Sequence, residues 1–160
     1  MTTNPRPTPR TPVSASVPPE GRVLRHGIDL VHVPRLREVM EGNPVFEERV
    51  FTAGERAYCR SKADPYPHFA ARFAAKEAVL KALRRGISAE GSDGRLLEIE
   101  VVRTHGAPRL STSGLAARLV ARGGADAPVL SLSHAGDYAM ASVVWGEHRA
   151  TANDPAETVS

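Results

Sequence analysis

The stretch Phe69–Leu83, FAARFAAKEAVLKAL, constrains this chain more than any other. At roughly 100° per residue in a helix, Phe69, Phe73, Leu80 and Leu83 share one face, and Ala71, Ala75, Ala78 and Ala82 take the opposite one. A helix that is apolar on both sides belongs between two layers of a fold. The bulky side fills volume, while the alanine side lets another backbone come close. Charge nevertheless runs through the same turns, at Arg72, Lys76, Glu77 and Lys81. Buried charge is costly unless it has a partner or a ligand. This helix therefore carries both packing and chemistry.

The rest of the composition narrows what that chemistry serves. A chain of 160 residues builds one domain with a proper core and is too short for two ordinary ones. Its 21 basic and 18 acidic residues leave a formal charge of +3, with no Lys/Arg run to track a nucleic acid. A mildly basic surface instead favours an acidic protein or a phosphorylated small molecule. Cys59 stands alone, which excludes an intrachain disulfide and points to a reducing compartment. Its expected role is that of a small buried hydrophobe. No apolar run is long enough to span a bilayer and no signal-peptide core follows Met1, so the expected location is the cytoplasm.

Along the chain, residues 1–22 hold six prolines and one acidic residue and are expected to form a disordered tail. The main domain is expected over 23–147, with a polar tail at 148–160. Val23–Val33 reads as a strand and Pro34 opens a helix through Met40. Thr52-Ala53-Gly54-Glu55 has the form of a capping box, predicting a helix over Ala53–Arg60. A loop at Ser61–Pro67 then precedes the central helix, which Gly86 stops. Further strands are expected at Leu96–Thr104, Arg109–Ser111, Val129–Ser133 and Tyr138–Trp145, with a helix over Gly114–Arg122. The order β-α-α-α-β-β-α-β-β, with hairpin-length late connections, predicts an α+β fold with a largely antiparallel sheet.

Three places put reactive side chains in strongly structured surroundings. Asp29 lies inside an apolar strand, Glu77 on the central helix, and His134 at a strand end. Each has a bland alternative. An Asp can mark a sheet edge, Glu77 and Lys81 can form an i,i+4 ion pair worth roughly a few tenths of a kcal/mol, and a His beside a turn can simply be a surface residue. Taken together, two carboxylates on separate elements suit a hard cation such as Mg²⁺, which retains waters and bridges substrate phosphates. Arg72, Lys76 and Lys81 on the same helix would neutralise those phosphates. No phosphate-cradling glycine loop is present, which disfavours an ordinary nucleotide kinase.

The motifs resemble those of the holo-[acyl-carrier-protein] synthases, the short type of 4′-phosphopantetheinyl transferase. Gly27-Ile28-Asp29-Leu30-Val31 is similar to that family's opening motif, and Arg49-Val50-Phe51-Thr52 with Glu55 to its second segment. Arg72-Phe73-Ala74-Ala75-Lys76-Glu77-Ala78 through Lys81 matches the signature helix, and Ser131–His134 with Asp137-Tyr138-Ala139 the closing motif. The resemblance implies the transferase fold, with its sheet packed around a central buried helix. It also implies Mg²⁺-dependent transfer of the phosphopantetheine arm of coenzyme A to a serine of an acyl carrier protein, releasing adenosine 3′,5′-bisphosphate. On that pattern Asp29 and Glu77 bind the metal, and Glu77, directly or through a water, is the base. Lys81 stabilises charge on the diphosphate and leaving group. Arg72, Lys76, Gly86 and His134 help hold coenzyme A, and Arg35 faces the acidic carrier. The small members are homotrimers with sites between subunits. Two departures stand out. Arg84-Arg85-Gly86 replaces a Gly-Thr-Gly turn, and Val31 occupies a position that is acidic in the longer transferases. A non-catalytic module holding coenzyme A or a carrier protein, and a metal-dependent hydrolase of coenzyme A-like diphosphates, are the competing classes.

Overall fold

The long helix does lie between layers. In the computed structural model, which describes residues 22–83, 95–103, 106–121 and 127–148, α4 (Tyr66–Ala82) crosses a sheet made of β1 (Arg22–His32), β5 (Tyr138–His148) and β4 (Val129–Ala135). The three strands are antiparallel in the order β1-β5-β4, with Asp29 opposite Ala141 and Leu132 also opposite Ala141. Small residues meet across this contact. Ala74, Ala75 and Ala78 of α4 and Ala139, Ala141 and Val143 of β5 are all fully buried. Gly27 of β1 completes it, because a Cβ there would lie 1.8 Å from Ala78 O.

The second layer packs on the bulky side of α4. Between β1 and α4 run α1 (Val33–Gly42), α2 (Phe46–Val50) and α3 (Ala53–Arg60). Phe51 and Phe69 pack at 4.8 Å between ring centroids, and Phe46 links Phe51 to Phe73. The capping box forms as expected: Glu55 N donates to Thr52 Oγ1 at 3.2 Å, and Thr52 N donates to Glu55 Oε2 at 3.0 Å. Cys59 is wholly buried, as its composition suggested. A separate antiparallel hairpin pairs β2 (Ile99–Val102) with β3 (Arg109–Thr112), followed by α5 (Gly114–Ala121).

Three local expectations need correction. The central helix begins at Tyr66, so Pro67 lies in its first turn, where a missing N–H costs nothing. The expected order has three helices before the first late strand, whereas a fourth short one, α2, lies between α1 and α3. Leu96–Glu98 is a 3₁₀ turn and β2 starts only at Ile99; the Leu96 carbonyl in that turn accepts a hydrogen bond from Lys76. Gly136, at φ +53°, makes the two-residue link from β4 to β5, a turn that favours glycine in its first position. Gly86, its neighbours Arg84 and Arg85, and both tails lie outside the described residues, apart from Arg22 and His148 at the strand ends. No helix among the described residues is long and apolar enough to cross a membrane.

The face of the three-stranded sheet away from α4 is open and largely apolar. Leu24, Ile28 and Leu30 of β1, Tyr138 and Met140 of β5, and Val129 of β4 are all exposed there. His26 lies among them and pairs with Ser142 at 3.1 Å.

Candidate active site

Alternation along β1 decides which of its residues reach α4. Gly27, Asp29 and Val31 share the inward side, and Gly27 brings β1 so close to α4 that Asp29 faces the helix turn carrying Glu77 and Lys81. Asp29, Glu77 and Lys81 line one cavity of about 530 Å³, and Arg35 of α1 lines it as well. Leu36, Val39, Phe46 and Phe73 supply its apolar side. Lys81 Nζ stands 2.5 Å from Asp29 Oδ1 and 3.3 Å from Ile28 O. With the Lys81 side chain 44 % exposed, that pair adds little stability. Its value lies in holding a cationic group beside the carboxylate. Expected residues Asp29, Arg35, Glu77 and Lys81 are thus gathered at one place.

Arg72 and His134 are not part of that cavity. Arg72 precedes Glu77 by five residues on α4, which sets them roughly 140° apart around the helix axis. It lines a second cavity of about 190 Å³ together with His68, Tyr58 of α3, Arg103 and Pro108 of the hairpin, and Ser133 and His134 of β4. The Arg72 guanidinium is buried, lies 4.0 Å over the Tyr58 ring and donates to His68 O at 3.3 Å, while its Nε has no protein partner. His68 meets Tyr58 and His134 edge-on, at 5.9 and 6.4 Å between ring centroids. Burial pushes the His68 imidazole below its ordinary pKa, and Arg72, Lys62, His134 and Arg103 push the same way. Among the described residues no carboxylate lines this cavity, so it suits an anionic group such as a phosphate.

Lys76 requires a correction. It neither reaches a phosphate nor snorkels to solvent: its side chain is 0 % exposed. Its ammonium donates to Leu96 O at 2.6 Å and Ile99 O at 2.7 Å, and pairs with Glu55 Oε2 at 2.8 Å. All three donors are thereby used. Burial pushes its pKa down, against the pull of Glu55. Gly86 lies outside the described residues, so its expected contact has no structural counterpart here.

Sequence reasoning missed Tyr58, His68 and Arg103 as cavity residues, and Glu55 as the partner of Lys76. A signal existed for His68, which stands one helical turn before Arg72 and so projects on the same side. Nothing comparable marked Glu55, whose capping role already accounted for it.

A helix that presents one carboxylate to a cavity shared with a strand carboxylate, and a guanidinium to another cavity, while crossing an antiparallel sheet, defines a class recognisable by comparison. The 4′-phosphopantetheinyl transferase superfamily model matches residues 25–143. The holo-[acyl-carrier-protein] synthase of Syntrophotalea carbinolica is 48 % identical over 121 residues, covering 74 % of this chain and 92 % of that protein. The ACPS–CoA complex from Chronobacterium ammoniagenes superposes with a TM-score of 0.69 at 32 % identity, covering 79 % of this chain and 99 % of that one. Helicobacter pylori holo-[acyl-carrier-protein] synthase in complex with coenzyme A gives a TM-score of 0.60 at 29 % identity, covering 74 % and 96 % of the two chains. The chain belongs to the 4′-phosphopantetheinyl transferase superfamily and, within it, to the holo-[acyl-carrier-protein] synthases.

Proposed function

We propose that this chain transfers the phosphopantetheine arm of coenzyme A to a serine of an apo acyl carrier protein, with Mg²⁺ as cofactor and adenosine 3′,5′-bisphosphate as the second product. One observation carries the reading: Asp29 and Glu77, from two different elements, line a single cavity together with Lys81, whose ammonium pairs with Asp29. The donor set fits the cation. Among the described residues no group of three or more His, Cys, Asp or Glu side chains could hold a metal. Two carboxylates alone suit Mg²⁺, which takes few protein ligands and completes its shell with water and phosphate oxygens. When bound, the ion supplies charge neutralisation on the diphosphate.

The chain's own residues divide the remaining work. Glu77 accepts the proton of the carrier serine as the serine oxygen bonds to the phosphorus bearing the pantetheine arm. The bond from that phosphorus to the bridging oxygen breaks, and Lys81 offsets the charge that develops on the departing adenosine bisphosphate. Arg72, with His134 beside it, binds a phosphate in the second cavity. Arg35 faces the acidic carrier. The exposed apolar outer face of the sheet supports self-association, and we assign a homotrimer in which the two cavities meet between subunits. A buried Cys59 is compatible with the reducing cytoplasm.

The test incubates the protein with coenzyme A, Mg²⁺ and apo carriers from fatty acid, polyketide and peptide synthesis, then weighs each carrier. A gain of one phosphopantetheine arm is expected on at least one of them. Its absence from all, with the protein folded, refutes the reading.

A further inference from the structure

The buried Glu55–Lys76 pair has no place in the reaction just described, yet both of its charged groups are fully engaged in hydrogen bonds. Besides the three bonds made by Lys76, Glu55 accepts from Thr52 N at 3.0 Å and from Val101 N at 2.9 Å. Both side chains are 0 % exposed. A buried ion pair is rarely more stabilising than apolar residues of the same volume, so its use is sought in what it orients. β2 pairs with β3 on one side only, and its other edge would bury unpaired polar groups. Lys76 takes Ile99 O and Glu55 takes Val101 N along that edge. Sliding the hairpin by one residue would strand all of these bonds, so the pair sets its register against α4.

That register matters at the second cavity. Lys76 lies one helical turn after Arg72 on α4, and Glu55 one turn before Tyr58 on α3. The ion pair is therefore the layer next to the one in which Arg72 covers the Tyr58 ring at 4.0 Å. The hairpin that the pair anchors carries Arg103 at the end of β2 and Pro108 before β3, both in the cavity wall. Asp29, Glu77 and Lys81 depend instead on the contact of β1 with α4. We propose that Glu55 and Lys76 are positioning residues that fix Arg72, Tyr58 and Arg103 relative to one another, and so set the affinity of the second cavity for the phosphorylated adenosine end of coenzyme A. This rests on the function proposed above.

The test titrates adenosine 3′,5′-bisphosphate, and separately coenzyme A, into the full chain by calorimetry, at a temperature where melting curves show every variant folded. Glu55→Gln and Lys76→Met are each expected to weaken binding about tenfold, and the double variant by about tenfold rather than a hundredfold, because both remove one device. The double variant leaves no uncompensated buried charge and keeps the test open if a single variant fails to fold. At saturating coenzyme A, kcat should fall less than affinity does. Unchanged affinity in variants that merely melt lower overturns the proposal, since the pair would then serve stability alone. A loss in Lys76→Met with none in Glu55→Gln also overturns it, by assigning Lys76 a direct ligand contact. A wild-type chain that binds neither probe refutes both this proposal and the function beneath it, whereas normal binding by the variants refutes this one only.

Discussion

Replacing Gly27 with Ala tests whether backbone proximity sets the spacing of the two carboxylates. The added Cβ would lie 1.8 Å from Ala78 O and 2.8 Å from Ala78 C, both backbone atoms of α4. Restoring an ordinary carbon–oxygen contact requires β1 and α4 to separate by about 1.5 Å. Neither side can absorb this by a rotamer change. Gly27 stands two residues before Asp29 on the same face of β1, and Ala78 directly follows Glu77, so the movement passes into the distance between the carboxylates. Overpacking of this kind costs about 2 kcal/mol of stability, enough to lower the melting temperature by about 8 °C in a domain of this size. Displacing reacting groups by an ångström or more costs about a hundredfold in rate. The assay is transfer to an apo carrier followed by mass, at a temperature well below the variant's melting point. Gly42→Ala serves as the control, because nothing lies within 4 Å of a Cβ there. A Gly27→Ala enzyme with a rate within about threefold of the parent would refute the argument that small shifts at this contact govern catalysis.

Two further outcomes follow from buried groups. His68 is held below its ordinary pKa by burial first and by Arg72 next, with Lys62, His134 and Arg103 adding to it. The unfolded chain therefore takes up this proton before the folded one, so stability is full at higher pH and is lost as pH falls below about 6.5. Urea melts at pH 7.5 and 5.5 should show a larger acid loss in the parent than in His68→Gln; equal losses would remove His68 as a cause. The Cys59 thiol is pushed up to about 12, mainly by burial. It should resist iodoacetamide in the folded protein and react on denaturation, as read by mass, whereas rapid labelling at neutral pH in the native state would contradict its burial.

The helix α4 was legible because its signal is local. Apolar residues at helical spacing need no distant partner to be recognised, and the capping box at Thr52 and Glu55 is likewise complete within four residues. Asp29, Glu77 and Lys81 stood out for a related reason, since charge inside apolar patterns is conspicuous in one dimension. Lys76 was equally conspicuous and was misassigned, because its partners lie far away in sequence, at Glu55 and at the carbonyls of Leu96 and Ile99. The same charge pattern thus describes a ligand-facing lysine and a core lysine, and only the tertiary neighbours separate them. The late start of β2 has this cause too: its propensity begins at Leu96, but the Leu96 carbonyl, in the 3₁₀ turn before the strand, accepts from Lys76. The second cavity draws Tyr58, Arg72, Arg103 and His134 from four separate elements, a coincidence that no spacing announces.

The two cavities lie on different sides of one helix, and this constrains how a single coenzyme A can be held. On the proposed reading, its diphosphate meets Asp29, Glu77 and Lys81, while a phosphate at its adenosine end meets Arg72 and His134. Glu77 and Arg72 point roughly 140° apart around α4, so on that reading one copy would offer its two cavities to different neighbours. A ring of copies, driven together by the open apolar face of the β1-β5-β4 sheet, can set the first cavity of one subunit against the second cavity of the next. Mixing then provides a test that no single variant allows. Glu77→Gln and Arg72→Ala are each expected to be inactive alone. Unfolded together in equal amounts and refolded, they should recover about a quarter of parental activity, because random assembly joins an intact Glu77 from one subunit to an intact Arg72 from its neighbour at about one site in four. If both halves of each site came from the same chain, no assembly could unite them, and the mixture would stay as inactive as its parts.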